Sequence, residues 1–183
     1  MFAAAEELAA AGVGIIQYRS KSGSARDMLE RALEIKRRVG DHAKLIMNDR
    51  ADLCLAAGFD GLHLGQADIP PDVARRILGK RCWLGVSTHN PEQLAEADLS
   101  SADYLAIGPV FATKSKTNPD PVVGLPGVSR ARQLTRKPLV AIGGITSANA
   151  RSVIDAGADA VAVISALLPS PSKSAQEFLS ILR

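Results

Sequence analysis

The sequence predicts a single α/β domain over residues 1–183, a parallel TIM-type (β/α)8 barrel that lacks its first β-strand. Short β-rich runs alternate with amphipathic helical patterns along the chain. The β runs are apolar almost throughout, as parallel strands covered by helices are. Nearly every run also ends in polar or glycine positions: Gln17 and Arg19, Asn48 and Asp49, Gly65 to Asp68, Ser87 to His89, Gly108, Gly143 and Gly144, and Ser165. A barrel gathers groups from many strand ends at one mouth, whereas an open doubly wound sheet concentrates them at a switch point. The spread selects the barrel.

In chain order, Met1–Ala11 reads as a helix with no strand before it. Gly14–Arg19 is the first strand, and the amphipathic run Ala25–Val39 after it stops at Gly40. Leu45–Met47 is followed by helix Ala51–Ala57, which ends at Gly58. Gly61–Leu64 leads to Pro71–Leu78, a helix with proline in its tolerant first turn and Gly79 at its stop. Trp83–Val86 leads to Pro91–Ala97, and Tyr104–Ile107 to Val128–Leu134. Leu139–Ile142 leads to Ala148–Ala156, which stops at Gly157 before the seventh strand, Ala160–Ile164. AGVG, AGFDG and AGADA each close a helix and open a strand, the mark of a repeated βα unit. Seven strands leave a closed barrel one short. The open seam would be an aggregation hazard unless a loop or a homo-oligomeric partner covered it.

Composition narrows the function. The chain is 46% hydrophobic and 22% charged, enough for one sizeable core. Aromatic residues make up 4%, and the +3 charge is scattered, which argues against a nucleic-acid surface. The N-terminus lacks the charged n-region of a signal peptide, and no apolar stretch reaches spanning length. Cys54 and Cys82 have no metal-type spacing and are expected to be buried free thiols. The expectation is a cytoplasmic protein with neither nucleic-acid nor membrane partners.

Several strand ends could carry chemistry. Gln17, Arg19 and Lys21 alternate, so an extended backbone would point amide, guanidinium and ammonium the same way. That trio suits a diphosphate, although a solvated strand end would look alike. Asn48 and Asp49 follow the second strand and Asp68 the third. Two carboxylates from neighbouring strand ends suit Mg²⁺, which takes one or two carboxylates and completes its shell with water and phosphate. Asp68 could instead cap the next helix, and Asp49 could pair with Arg50 or a lysine.

Ser87 in GVSTH has no nucleophile elbow around it and reads as a hydrogen-bonding residue. His89 could cap the helix near Pro91, and His63 reads as a satisfied interior histidine. Thr113-Lys114-Ser115-Lys116 lies in a long segment that reads either as a lid whose hydroxyls and ammoniums close over anions or as a mobile surface stretch. AIGGI, with Gly143 and Gly144, and the run ending at Ser165 suit a barrel phosphate site built on backbone N–H groups.

Taken together, the runs QYRSK (17–21), NDR (48–50), GLHLGQAD (61–68), GVSTH (85–89), GPVFAT (108–113) with Lys116, AIGGI (141–145) and 160–166 resemble the thiamine-phosphate synthase family. The resemblance covers roughly residues 12 to 168 and implies a transferase joining a hydroxymethylpyrimidine diphosphate to a thiazole phosphate, or its carboxylated form, with release of diphosphate. It implies that Gln17, Arg19, Lys21, Asn48, Ser87 and Lys116 hold the pyrimidine diphosphate. Of these, Arg19, Lys21, Lys116 and Ser87 would serve catalysis. Asp49 and Asp68 would hold Mg²⁺. Thr113, Ser115, Gly144, Ile164 and Ser165 would bind the thiazole phosphate. Ser115 replaces the family's more usual threonine but keeps a hydroxyl. Tyr18 should pack on the opposite strand face.

Two alternatives remain open at this point. A thiazole tautomerase of similar fold would not need the diphosphate and Mg²⁺ residues, and in that group a histidine stands where this chain has Pro109. An inactive barrel that binds the precursors would bind both substrates without turnover.

Overall fold

The computed structural model describes residues 1–113 and 120–182. Seven parallel strands form one sheet in chain order: β1 (Ile15–Tyr18), β2 (Lys44–Asn48), β3 (Gly61–Leu64), β4 (Trp83–Thr88), β5 (Tyr104–Ile107), β6 (Leu139–Ile142) and β7 (Ala160–Ala162). Among the described residues, each strand pairs only with its sequence neighbours, so β1 and β7 are edges of a curled, unclosed sheet. The helices are α1 (Phe2–Ala10), α2 (Ala25–Val39), α3 (Ala51–Ala56), α4 (Pro71–Leu78), α5 (Pro91–Leu99), α6 (Gly124–Leu134), α7 (Ser147–Asp155) and α8 (Pro171–Leu182).

The elements form for local reasons that are visible in the side chains. Ser24 caps α2 by accepting from the Asp27 N–H at 3.1 Å, while Asp27 accepts from the Ser24 N–H at 3.0 Å. Asn90 caps α5 through the Gln93 N–H, and Thr146 with Asn149 forms the same reciprocal box on α7. Three aspartates repeat one device at strand entries. Asp60, Asp103 and Asp159 each donate a backbone N–H to a leucine carbonyl, respectively Leu45, Leu84 and Leu139. Their carboxylates accept the same leucine's N–H, at 2.9, 2.7 and 2.7 Å. The aspartate of AGFDG and AGADA therefore clamps its strand to the preceding one in sheet order, which gives the repeat a physical meaning.

Strand alternation divides the side chains into two layers. Leu45 and Met47 join Leu62, Leu64 and Leu84 in a core against the first four helices. Leu105, Ile107, Leu139 and Ala141 join Val128 and Val153 in a second core against the later ones. Ile46, His63, Ser87 and Tyr104 belong to the opposite, inner face. The edge strands are thinly covered there: Ile15 is 52% exposed, and Ile164, beyond β7, is 61% exposed.

The helical layer closes where the sheet does not, because α1 packs against both α2 and α8. Helix α8 is absent from the sequence reading. It buries Ala175 and Phe178. Other boundaries differ in ways that matter for the site. β1 stops at Tyr18, so Lys21 does not extend the strand but sits in the following turn. β7 stops at Ala162, leaving Ile164 and Ser165 in the turn after it. α6 starts at Gly124, four residues before the expected Val128. Tyr18 is buried in the helix-facing core as expected, with its hydroxyl lacking a hydrogen-bond partner among the described residues.

Candidate active site

The strand ends bring the acidic residues and a lysine together. Lys21, from the turn after β1, places its Nζ 2.5 Å from Asp49 Oδ2. Asp49 is the one non-glycine residue with positive φ among the described residues (66°), a region that aspartate tolerates better than most. Its N–H donates to the carbonyl of His63, which ties the end of β2 to β3. Arg50 turns away and pairs with Asp52 at 2.5 Å. Of the partners considered from sequence, Asp49 therefore takes the lysine.

Asp68 does not cap α4, whose N-cap is Pro70 without a side-chain bond. Its carboxylate instead accepts the Gly65 N–H at 2.7 Å, which folds the loop back on itself. Burial raises the Asp68 pKa and the facing Asp49 carboxylate adds to the rise, while the Gly65 N–H and Lys21 act against it. Two carboxylates that resist sharing one place, with an all-oxygen donor set, fit a hard divalent cation such as Mg²⁺. No group of three or more His, Cys, Asp or Glu side chains suited to metal binding occurs among the described residues. A cation here would need oxygens from water or substrate.

Gln17 lies exposed on the inner face of β1, and Arg19 lies exposed just beyond it. Asn48 ends β2 half-buried, in register with His63. Ser87 is half-buried in β4, and its carbonyl accepts the Gln66 side-chain amide at 2.6 Å. Ser87 Oγ lies 2.8 Å from His63 Nε2, and Tyr104 Oη lies 3.0 Å from His63 Nδ1. His63 is thus satisfied and interior, as its sequence context suggests. Burial holds its pKa down at about 4, against a pull upward from Asp49.

His89 does not cap α5, because Asn90 does. Its Nδ1 lies 2.5 Å from the Gly108 carbonyl, and its Nε2 lies 3.4 Å from Asp120. Sequence reading missed this brace between β4 and the segment after β5. It also missed the part played by Tyr104. Tyr104 lies outside every motif run and His89 only closes GVSTH, and the partners of both come from other segments of the chain.

The opposite side of the mouth holds the phosphate candidates. Gly144 has φ of 66°, and a Cβ there would lie 2.6 Å from the Ala112 carbonyl oxygen. Only glycine fits beneath the loop that crosses it. Phe111 fastens that loop by donating its N–H to the Gly143 carbonyl at 3.0 Å. Thr113 lies half-buried on the same loop. Ser115 and Lys116 fall outside the described residues. Cys54 is buried, with its Sγ 3.2 Å from the Gly61 carbonyl, and burial pushes its thiol up to about 12. Cys82 is free but only half-buried, short of the full burial expected.

A parallel α/β sheet with cations, carboxylates and glycine-lined backbone at its C-terminal mouth defines an enzyme of the barrel type, whose sites form at the ends of the strands. Comparison with known proteins narrows the class. A family model described as thiamine monophosphate synthase matches residues 1–167. A thiamine-phosphate synthase of Koribacter versatilis is 60% identical, over 97% of this chain and 84% of that protein. One from Chloroflexus aurantiacus is 46% identical, over 90% of this chain and 76% of its own length. The thiamine phosphate pyrophosphorylase structure from Pyrococcus furiosus superposes with a TM-score of 0.90 at 34% identity, covering 99% of this chain and 88% of that one. The chain belongs to the thiamine monophosphate synthase family, and it is a transferase of the thiamine-phosphate synthase type.

Proposed function

We propose that the mouth holds a hydroxymethylpyrimidine diphosphate and a thiazole phosphate side by side, with Asp49 and Asp68 binding Mg²⁺ beside the diphosphate. The observation that carries this reading is the meeting of Lys21, Asp49 and a pKa-raised Asp68 at adjacent strand ends. Bound Mg²⁺ would act as a Lewis acid on the departing diphosphate.

The protein's own groups then have defined tasks. Arg19 and Lys21 approach the diphosphate from the β1 side, with Lys116 assigned to the same charge by sequence. Gln17 and Asn48 orient the pyrimidine end, and Ser87 donates a hydrogen bond to the diphosphate. Thr113, Gly144, Ile164 and Ser165 hold the thiazole phosphate on the other side, with Ser115 assigned to the same phosphate by sequence. The thiazole nitrogen attacks the pyrimidine methylene carbon as its C–O bond to diphosphate breaks, and no protein nucleophile or base is needed. Rate comes from holding the two substrates in line and from stabilising the leaving charge. The setting is cytoplasmic. Among the described residues no helix is long and apolar enough to cross a membrane.

The test is diphosphate release by the purified chain. Release is expected only when both substrates and Mg²⁺ are present. Binding of both substrates with no release would replace this reading with an inactive precursor-binding barrel, and metal-independent release would remove the assignment of Asp49 and Asp68.

A further inference from the structure

We infer that Tyr104 is a positioning residue for this reaction: its hydroxyl fixes the tautomer of His63 and so leaves the Ser87 hydroxyl proton free for an anionic oxygen of substrate. The inference rests on the proposed assignment of Ser87 to the diphosphate and deepens it.

The sheet register sets the arrangement. His63 of β3, Gly85 of β4 and Tyr104 of β5 occupy one row across three strands. A Cβ on Gly85 would lie 2.0 Å from Tyr104 Cζ and 2.4 Å from its hydroxyl oxygen. Glycine therefore lets the tyrosine ring cross β4 and reach the histidine, with ring centroids 5.6 Å apart. Ser87, two residues beyond Gly85, stands on the same face and meets the other ring nitrogen.

The three groups form a directed chain. His63 is 7% exposed and its ring partners are two hydroxyls, so the ring is neutral and carries one N–H and one lone pair. The Tyr104 hydroxyl has no other hydrogen-bond partner among the described residues, and it is satisfied when it donates to a bare Nδ1. The proton of His63 then sits on Nε2 and is donated to Ser87 Oγ, which turns the serine's own proton outward. In the opposite tautomer Ser87 would give its proton to Nε2, and the Tyr104 proton would have no acceptor among the described residues. Diphosphate oxygens only accept, so a serine whose proton is already engaged offers them nothing.

The chain has three histidines, so long-range ¹H–¹⁵N spectra of the ¹⁵N-histidine-labelled protein can resolve each ring. Expected at neutral pH is His63 protonated at Nε2 and bare at Nδ1, with Tyr104→Phe shifting it toward Nδ1 protonation. In kinetics, Tyr104→Phe should lower kcat/KM for the pyrimidine diphosphate by about tenfold, the scale of one hydrogen bond to a charged group. Ser87→Ala should cost at least as much, and the double variant no more than Ser87→Ala. A wild-type ring protonated at Nδ1 or at both nitrogens, or single-variant costs that multiply, would overturn the role of Tyr104. The expected tautomer together with full activity in Ser87→Ala would instead overturn the assignment of Ser87 to the diphosphate, and the role built on it.

Discussion

Lys21 and Asp49 meet with Nζ and Oδ2 2.5 Å apart, although 28 positions separate them and they leave different strand ends. The contact joins the residue type that suits a diphosphate to one that suits its metal. It also holds the turn after β1 against the end of β2, at the edge where the sheet is open.

Asp49→Ala should lower kcat/KM by about 10²-fold or more, the scale of losing a group that stabilises developing charge. Lys21→Gln should be nearly as severe and should weaken the pyrimidine diphosphate most. Steady-state kinetics over a range of Mg²⁺ concentrations separates the two. The Asp49 variant should need far more metal, and an unchanged metal requirement in that variant would count against Asp49 as a ligand.

Asp68 should show a conflict between stability and function. Its raised pKa means that folding favours the protonated carboxyl. The stabilisation is full below the unfolded value and is lost as pH rises through the folded one, so at neutral pH the charged carboxylate strains the metal-free site. Asp68→Asn keeps an acceptor for the Gly65 N–H and removes the charge. It should raise the metal-free melting temperature at pH 7 while abolishing both Mg²⁺-induced stabilisation and turnover. Calorimetry with and without Mg²⁺ reads both effects, and a variant that melts lower than wild type without metal would contradict the charge argument.

His63 predicts an acid-side loss of stability. Its pKa falls from 6.5 to about 4 on folding, because burial opposes the charged ring. Above 6.5 both states are neutral and the contribution is complete. Between 6.5 and 4 only the unfolded chain takes up the proton, so stability falls with pH and loses roughly 3 kcal/mol by the lower limit. Thermal unfolding of wild type and His63→Gln between pH 4 and 7 checks this, and the variant should show a shallower slope. Parallel slopes would assign the acid loss to other groups.

Gly144→Ala should damage thiazole phosphate binding more than pyrimidine binding. The new Cβ would require strained backbone and would press on the loop carrying Thr113. An increase in KM for the thiazole phosphate of about tenfold, at little cost in pyrimidine KM, corresponds to roughly 1.4 kcal/mol of uniform binding lost. Equal effects on both substrates would indicate general disturbance of the mouth instead.

Much of the architecture was legible because it rests on local patterning. Apolar runs, glycine stops and proline starts locate all seven strands, and all but one of the helices, to within a few residues. The missed helix, α8, follows a proline- and serine-rich stretch and carries its large apolar residues, Phe178, Leu179, Ile181 and Leu182, only toward its C-terminal end. Ends of elements were less legible. β1 and β7 stop short of the expected Arg19 and Ile164 because edge strands have one neighbour each to hold them.

The sequence by itself determined the βα repeat, the family and which residue types stand at each strand end, since these are properties of neighbouring positions and shared motifs. Tertiary structure alone decided which of those residues meet. Asp49 faces Lys21 rather than Arg50, Asp68 turns to Gly65 rather than α4, and His89 reaches Asp120 rather than capping α5. The row of His63, Gly85 and Tyr104 exists only once three strands take their register. Pairing across strands depends on register and on the local turn of the backbone, and neither is written in the spacing of residues along one strand.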